Sequence, residues 1–566
     1  SDFLSGNYRF SGSGGSVVNQ GNINAAVVAL LGSSVTNEGV IGAQAGSVAL
    51  ATGEQMTLTF ADGLTVTVDG EELDELEAEG EAVQGEDGAV AVTESAARSL
   101  ESRVIAESQP QADGLVASEE GGFALVATAP AAGEAGEQPA PSVTEGPSPG
   151  IVAGGTIEAR QILVDAGPGG EARVTGTLDA SSSEGEGGSV TVLGERVELE
   201  ETARLEASGP ERGGSIRVGG GLRGQDPSVR NAEQAIVHPG AELEASATAT
   251  GDGGEVIVWA DGSTGFGGEI TARGGPQGGD GGFAEVSGKR VLDFRGTADL
   301  TAPGGATGEL LLDPTNLEIR DQQAGSNLRR DGNTWEPNFG GTTSVLTVSQ
   351  LQSSLSTANI TVSTVGSPDT TGQQGDITLV DDFDGGALDN RLKLEAAGAV
   401  RFNADIFSEG GLDLWAQTDG EITQAAGAQL GRSGSPLGDV LLEAGAGGNQ
   451  SPAIRVGKIN TKNLQLSTTG GSVVSLVNTG LKADELVLTG GTFVLTADNE
   501  VANLAGEIDG PLNFRNTVDM FVKELTGGIS GKQYDGLSSA GAEVTLESTA
   551  NISGVNINTR VVRDDP

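Results

Sequence analysis

The chain has 566 residues, 92 of them glycine and only 19 proline, with 3% aromatic and 36% hydrophobic residues. A globular core of that size uses more Phe, Tyr, Trp and Met, so the Ala/Val/Leu/Ile content points to a narrow interior packed in thin layers. Against 31 Lys+Arg stand 80 Asp+Glu, a formal net charge of −49, which excludes nucleic acid as a partner because phosphate backbones need basic patches. The absence of cysteine excludes disulfides, thiol catalysis and cysteine-ligated metal centres. Glycine lacks the every-third-residue spacing of collagen, and Val/Leu/Ile alternation runs on too long for a disordered chain. The opening SDFLSGNYRF is not a signal peptide, and no run of 18 apolar residues occurs. Export would therefore use a targeting segment removed from, or outside, the numbered chain.

In chain order the repeats begin at once. Asn19-Gln20-Gly21-Asn22-Ile23-Asn24-Ala25 is echoed 18 residues later by Asn37-Glu38-Gly39-Val40-Ile41-Gly42-Ala43, the length of one small coil of three short strands. Residues 70–82, DGEELDELEAEGE, read as an acidic protruding loop with weak helical character. Residues 128–150 gather much of the proline, with Ala, Gly and Glu, and read as a flexible excursion.

The most regular part follows. The tetrads Ser189-Val190-Thr191-Val192, Ser215-Ile216-Arg217-Val218, Glu255-Val256-Ile257-Val258 and Phe283-Ala284-Glu285-Val286 each come after a Gly-Gly pair. Their apolar and polar residues alternate, so one face points inward and one outward. The triplets Leu178-Asp179-Ala180, Leu205-Glu206-Ala207, Leu243-Glu244-Ala245, Ile270-Thr271-Ala272 and Leu300-Thr301-Ala302 recur beside them, and the wide gap from Leu205 to Leu243 implies an inserted loop. Gly-Gly marks corners where the backbone takes positive φ or passes close to the next coil. Further strand centres fall at 392–396, 412–416, 440–444 and 464–466, and coils continue to roughly Ile557.

One strand type per coil, stacking on itself, predicts an all-β right-handed parallel β-helix (β-solenoid) with irregular loop excursions. Some 20 coils would make a rod on the order of 100 Å long. The expected divisions are 1–127 with the acidic loop, the excursion 128–150, a Gly-rich block 151–319, a connection 320–342 that marks a bend or boundary, and a second block 343–566.

Candidate chemistry is sparse. His238, the single histidine, precedes a Pro-Gly corner and reads as a loop residue rather than a catalytic base. Asp382-Phe383-Asp384-Gly385 with Asp389 has some look of a calcium loop, but the EF-hand's closing Glu is missing, so a solvated turn is the better reading. Trp259, Trp335 and Trp415 lie far apart in sequence, and Trp259 reads as packing over a corner. No catalytic, cofactor-binding or metal-binding residues and no cofactor are assigned. A polysaccharide-active β-helix enzyme, a lyase or hydrolase, is the alternative, although no carboxylate pair stands out.

These residues resemble a known group. Residues 3–10, FLSGNYRF, the paired Asn-x-Gly-x-Ile coils and Gly46-Ser47-Val48-Ala49-Leu50-Ala51-Thr52-Gly53 are similar to later coils of the secretion domain of filamentous haemagglutinins, exoproteins of two-partner secretion. Residues 88–97, GAVAVTESAA, look like the coil that follows in such proteins. The block from Gly253 to Ile319, with Leu311-Leu312-Asp313-Pro314 near its end, is the more specific likeness. The resemblance implies a right-handed β-helix exported through a β-barrel transporter of the outer membrane. It implies a secreted protein, extracellular or on the bacterial outer surface, with roles in adhesion, aggregation or biofilm. Partners would be that barrel, further copies of the chain, and a cell-surface or glycan receptor. The family's capping segment and Asn-Pro motifs are not found here. An uncapped solenoid end exposes strand edges that recruit another chain, so head-to-tail filament assembly is expected.

Overall fold

In the computed structural model the described residues are 8–11, 15–25, 27–52, 55–58, 82–84, 90–92, 150–321, 328–331, 334–337, 343–366, 374–445, 453–526, 531–554, 557–558 and 561–562. The acidic stretch 70–81 and most of the excursion 128–150 lie outside them. The chain forms an all-β parallel β-helix, in two compact units, Ser1–Ala260 and Asp261–Pro566.

Each coil of the first unit lays down three short strands, and each strand pairs in parallel with its counterpart one coil away. The first face runs through Ser16–Asn19, Ser34–Asn37, Gly150–Ala153, Glu171–Val174, Arg196–Leu199 and Ala232–Val237. The second runs through Asn22–Asn24, 40–42, 156–158, Thr177–Asp179, Arg204–Glu206 and Glu242–Glu244. The third contains Val27–Gly32, 47–52, 161–165, Ser189–Leu193, Ser215–Val218 and 255–258. Period-two alternation turns equivalent residues inward together. Ile41, Ile157, Leu178, Leu205 and Leu243 form one buried column, and Val48, Ile162, Val190, Ile216 and Val256 another. Each such side chain contributes about 1.5–3 kcal/mol by leaving water.

The Gly-Gly pairs sit at the corner before the third face, as their spacing suggested. A Cβ on Gly188 would stand 2.0 Å from the carbonyl oxygen of Arg160, and one on Gly214 2.0 Å from that of Gly188. Only a residue without a side chain lets consecutive coils close to hydrogen-bonding distance there. The 18-residue echo is also physical. Asn19 Nδ2 donates to Asn37 Oδ1 at 2.7 Å, so the two asparagines stack at one corner.

The coil that ends at Thr52 is followed directly in the stack by the coil that begins at Gly150. Residues 53–149 therefore leave and re-enter at a single corner. The next coil crosses that corner with Gly167-Pro168-Gly169-Gly170. Replacing 53–149 by Gly-Pro-Gly-Gly is expected to leave the parallel stack intact, at the loss of the antiparallel pair Tyr8–Ser11 with Gln55–Leu58. Closing the shorter connection costs less chain entropy, so unfolding free energy should hold or rise by up to about 2–3 kcal/mol. Far-ultraviolet circular dichroism and a denaturant titration check this; a loss of the β spectrum would show that the stack needs the excursion. Val90–Val92, expected as a further coil, instead pairs antiparallel with Ala82–Gln84.

The second unit repeats the plan. One face climbs through Leu317–Arg320, Ile377–Leu379, Val400–Phe402, Ile422–Gln424 and Ala453–Val456. Another climbs through Glu309–Leu312, Asn359–Ser363, Arg391–Ala396, Asp413–Thr418 and Leu437–Ala444. These ladders pass the expected connection at 320–342 without interruption, and that segment carries its own antiparallel pair, Leu328–Asp331 with Thr334–Pro337. The register of the triplets needs correction: Ile270 pairs with Ala298, not Leu300, which stands two residues further on. Parallel pairing, expected to roughly Ile557, extends to Val561–Val562.

Candidate functional site

The candidate site in the first unit grows from the strand Arg196–Leu199. Val197 and Leu199 point into the core, so alternation sends Arg196, Glu198 and Glu200 outward, yet Glu198 is only 1% exposed. His238 covers it from the next coil. The backbone N–H of His238 donates to the Leu199 carbonyl at 2.9 Å, continuing the ladder by one residue, and its Nε2 lies 2.8 Å from Glu198 Oε1. The histidine side chain is 4% exposed. It lies just past the strand, before the Pro-Gly corner as expected, but it is buried as the partner of a glutamate.

From the preceding coil, Arg173 reaches Glu198 Oε2 at 3.2 Å, Glu171 at 3.1 Å and Glu200 at 3.4 Å, while Arg196 stands 3.8 Å from Glu198. The hydrogen bond from His238 holds the Glu198 carboxyl below the ordinary glutamate range; burial opposes the shift, and Arg173 and Arg196 reinforce it. Ligand atoms of Glu198, Glu200 and His238 lie within 4.8 Å of one another, close enough to share a cation. The Arg173 guanidinium already occupies the position of positive charge between the two carboxylates. The arrangement is therefore an ion-pair lock across three coils, with Glu198 and His238 buried within it.

A second lock lies in the same unit. The loop between Val218 and Ala232, the insertion implied by the wide triplet spacing, is pinned by Arg230 to Asp165, a carboxylate 1% exposed. Burial raises the Asp165 carboxyl above its usual range, and Arg230 partly offsets this. Arg217 reaches Asp226 of the same loop at 3.4 Å. Trp259, 1% exposed, packs against Gly220 and Gly224 of that loop, so its role is packing.

On the outer side of the second face, Asp179, Glu206 and Glu244 stack in register. Burial raises the Glu206 carboxyl, and repulsion from Asp179, Glu244 and Glu242 adds to it.

In the second unit a shallow concavity of about 540 Å³ is lined by Asp321, Asp381, Asp382 and Asp405 among others. Three of its carboxylates, those of Asp381, Asp382 and Asp405, are committed to the fold. Asp381 accepts from the Asp321 N–H at 2.8 Å, Asp382 from the Asp405 N–H at 2.9 Å, and Asp405 from the Gln429 N–H at 2.8 Å. Each thus caps a backbone donor on another rung. Arg432 then bridges Asp405 at 2.6 Å and Asp382 at 3.3 Å, with its guanidinium 3.6 Å above the Phe407 ring. The stretch expected as a solvated turn holds a strand rung, Phe383–Asp384, with Phe383 fully buried; the turn begins only after it, where Asp384 accepts from the Gly386 N–H at 2.9 Å. Asp389 is exposed.

Trp415 lies in that unit beneath Arg391, 4.5 Å from guanidinium to ring centroid, and Trp335 falls on the strand Thr334–Pro337. Glu198 and Asp165 were not singled out by sequence, because nothing distinguishes them there from the other acids. Among the described residues no helix is long and apolar enough to cross a membrane. The fold places the chain among parallel β-helix proteins. No family model matches the chain, and no curated protein matches it.

Proposed function

We propose that this chain is a non-enzymatic extracellular exoprotein of the filamentous haemagglutinin type, acting as an adhesin or as a structural filament of the cell surface or matrix. The observation that carries the reading is how its polar surface is used. Arg173, Glu198, His238, Asp382, Asp405 and Arg432 each tie coil to coil, even where Asp382 and Asp405 line the shallow concavity. Such a body presents long faces for contact. The residues that carry the family likeness support the reading too: 19–24 and 37–42 lie on neighbouring rungs of the first unit, and 309–312 forms a rung of the second.

In this reading an outer-membrane β-barrel exports the chain, and copies associate through strand edges, since any open parallel stack ends in unpaired edges. A cell-surface or glycan receptor would meet the lateral faces. Electron microscopy of the native secreted material is the test. Fibres with an axial repeat near 100 Å are expected from the stacking distance. Single rods would retain the adhesin and remove the filament, and release of sugars from polysaccharide by the purified material would overturn the non-enzymatic reading.

A further inference from the structure

One coil of the second unit differs from its neighbours on two of its three faces. It begins at Leu317 and closes at Ser363. On the first face it supplies two strands, Leu317–Arg320 and Ser344–Thr347, which pair with each other in parallel. Leu317–Arg320 continues to Ile377–Leu379 on its other edge, and Ser344 Oγ accepts from the Leu292 N–H at 2.9 Å on the opposite side. On the third face it supplies one strand, Asn359–Ser363. On the second face it supplies no strand but the helix Val348–Leu355, capped by Thr347, whose Oγ1 accepts from the Gln350 N–H at 3.1 Å.

The helix changes what joins the coils. Thr297–Asp299 pairs with Glu269–Thr271 on one edge, and Phe383–Asp384 pairs with Ile406–Phe407 on the edge facing away from the helix. A helix bonds its backbone internally, so it cannot continue either ladder. Two glutamine carboxamides, chemically peptide groups on a tether, bridge instead. Gln350 Nε2 donates to the Gly296 carbonyl and Gln352 Nε2 to the Asp384 carbonyl. Just beyond the helix, Thr357 adds a bond from Oγ1 to the Ala298 carbonyl at 2.7 Å and accepts the Leu300 N–H at 3.1 Å. A helix of eight residues has little stability of its own and is held by burial of Val348, Leu351 and Leu355.

In a solenoid each repeat is stabilised by its neighbours, so a weak interface anywhere divides the cooperative unit there. We propose that the coil 317–363 is a built-in joint of the second unit, where the helix and the strand edges beside it open while the ladders on either side stay closed. The joint does not depend on what the lateral faces bind.

Hydrogen exchange by mass spectrometry on the full chain under native conditions tests it. Amides of 349–355 are expected to exchange at least tenfold faster than those of Asn359–Ser363 and Arg391–Ala396. The double variant Gln350→Ala, Gln352→Ala should speed 349–355, Thr297–Asp299 and Phe383–Asp384 by a further tenfold or so, leaving Asp413–Thr418 unchanged. Protection of 349–355 equal to that of the ladder strands would overturn the proposal. So would a double variant that leaves 349–355 unaltered or speeds all strands together.

Discussion

Gly155→Ala is expected to lower the unfolding free energy of the first unit by about 2–3 kcal/mol, a large loss for the addition of one methyl group. The reason is the short corner between the first and second faces. Two residues make the turn from Asn19 to Asn22, from Asn37 to Val40, from Ala153 to Thr156 and from Val174 to Thr177, and the second is glycine each time. A Cβ on Gly39 would stand 2.1 Å from the Gly21 carbonyl oxygen, on Gly155 1.9 Å from that of Gly39, and on Gly176 2.0 Å from that of Gly155. The oxygens in question are acceptors of the ladder itself: the Thr156 N–H donates to Gly39 at 3.0 Å and the Thr177 N–H to Gly155 at 2.9 Å. A methyl group must therefore push apart bonded coils on a backbone that cannot give way cheaply. The next two coils contain their own control. There the corner lengthens to four residues, and alanines, Ala203 and Ala241, take the equivalent place fully buried. Ala203→Gly should thus cost only about 1–1.5 kcal/mol, the backbone entropy and one buried methyl group, with no coils pushed apart. Denaturant titrations of the two variants compare the effects. If Gly155→Ala were as mild as Ala203→Gly, the close approach would not be what requires glycine at this corner.

The coils were legible because their signal is local. Alternation in 189–192, 215–218 and 255–258, each behind Gly-Gly, fixes which side chains face inward, and backbone pairing follows once equivalent strands lie one coil apart. Register within a coil is less visible. Ile270-Thr271-Ala272 and Leu300-Thr301-Ala302 match by residue type, but Ala298 packs in the core as well as Leu300 does, and the ladder selects Ala298. The helix Val348–Leu355 shows the opposite case. Its buried residues at 348, 351 and 355 carry helical spacing inside a chain otherwise read at period two, and the capping Thr347 precedes them. That signal was present and outweighed by the surrounding repeat. The ion-pair lock could not have been read at all. Glu198 and His238 are 40 residues apart because the loop between Val218 and Ala232 lengthens their coil, and only stacking brings them to 2.8 Å.

That lock gives the second large effect. Arg173→Met should reduce unfolding free energy by about 2–3 kcal/mol at neutral pH, since it leaves Glu198 buried with less opposing charge. Part of the arginine side chain is exposed, 43%, which keeps the figure below that for breaking a fully buried pair. The pH dependence identifies the cause. The folded-state pKa of Glu198 is lowered, so its contribution is fully present above the unfolded glutamate pKa and is lost as pH falls through the folded value. Removing Arg173 weakens that lowering. The gap between wild type and variant should therefore be widest near neutrality and narrow as pH drops toward and below the glutamate range. Adding Glu198→Gln to Arg173→Met should recover most of the loss, because the amide oxygen still accepts from His238 while no charge remains to be opposed. Denaturant titrations of the three proteins between pH 4 and pH 7 would measure this. A gap that stayed constant across the range, or a double variant no more stable than the single one, would mean that Arg173 acts through the packing of its stem rather than through the carboxylate it holds.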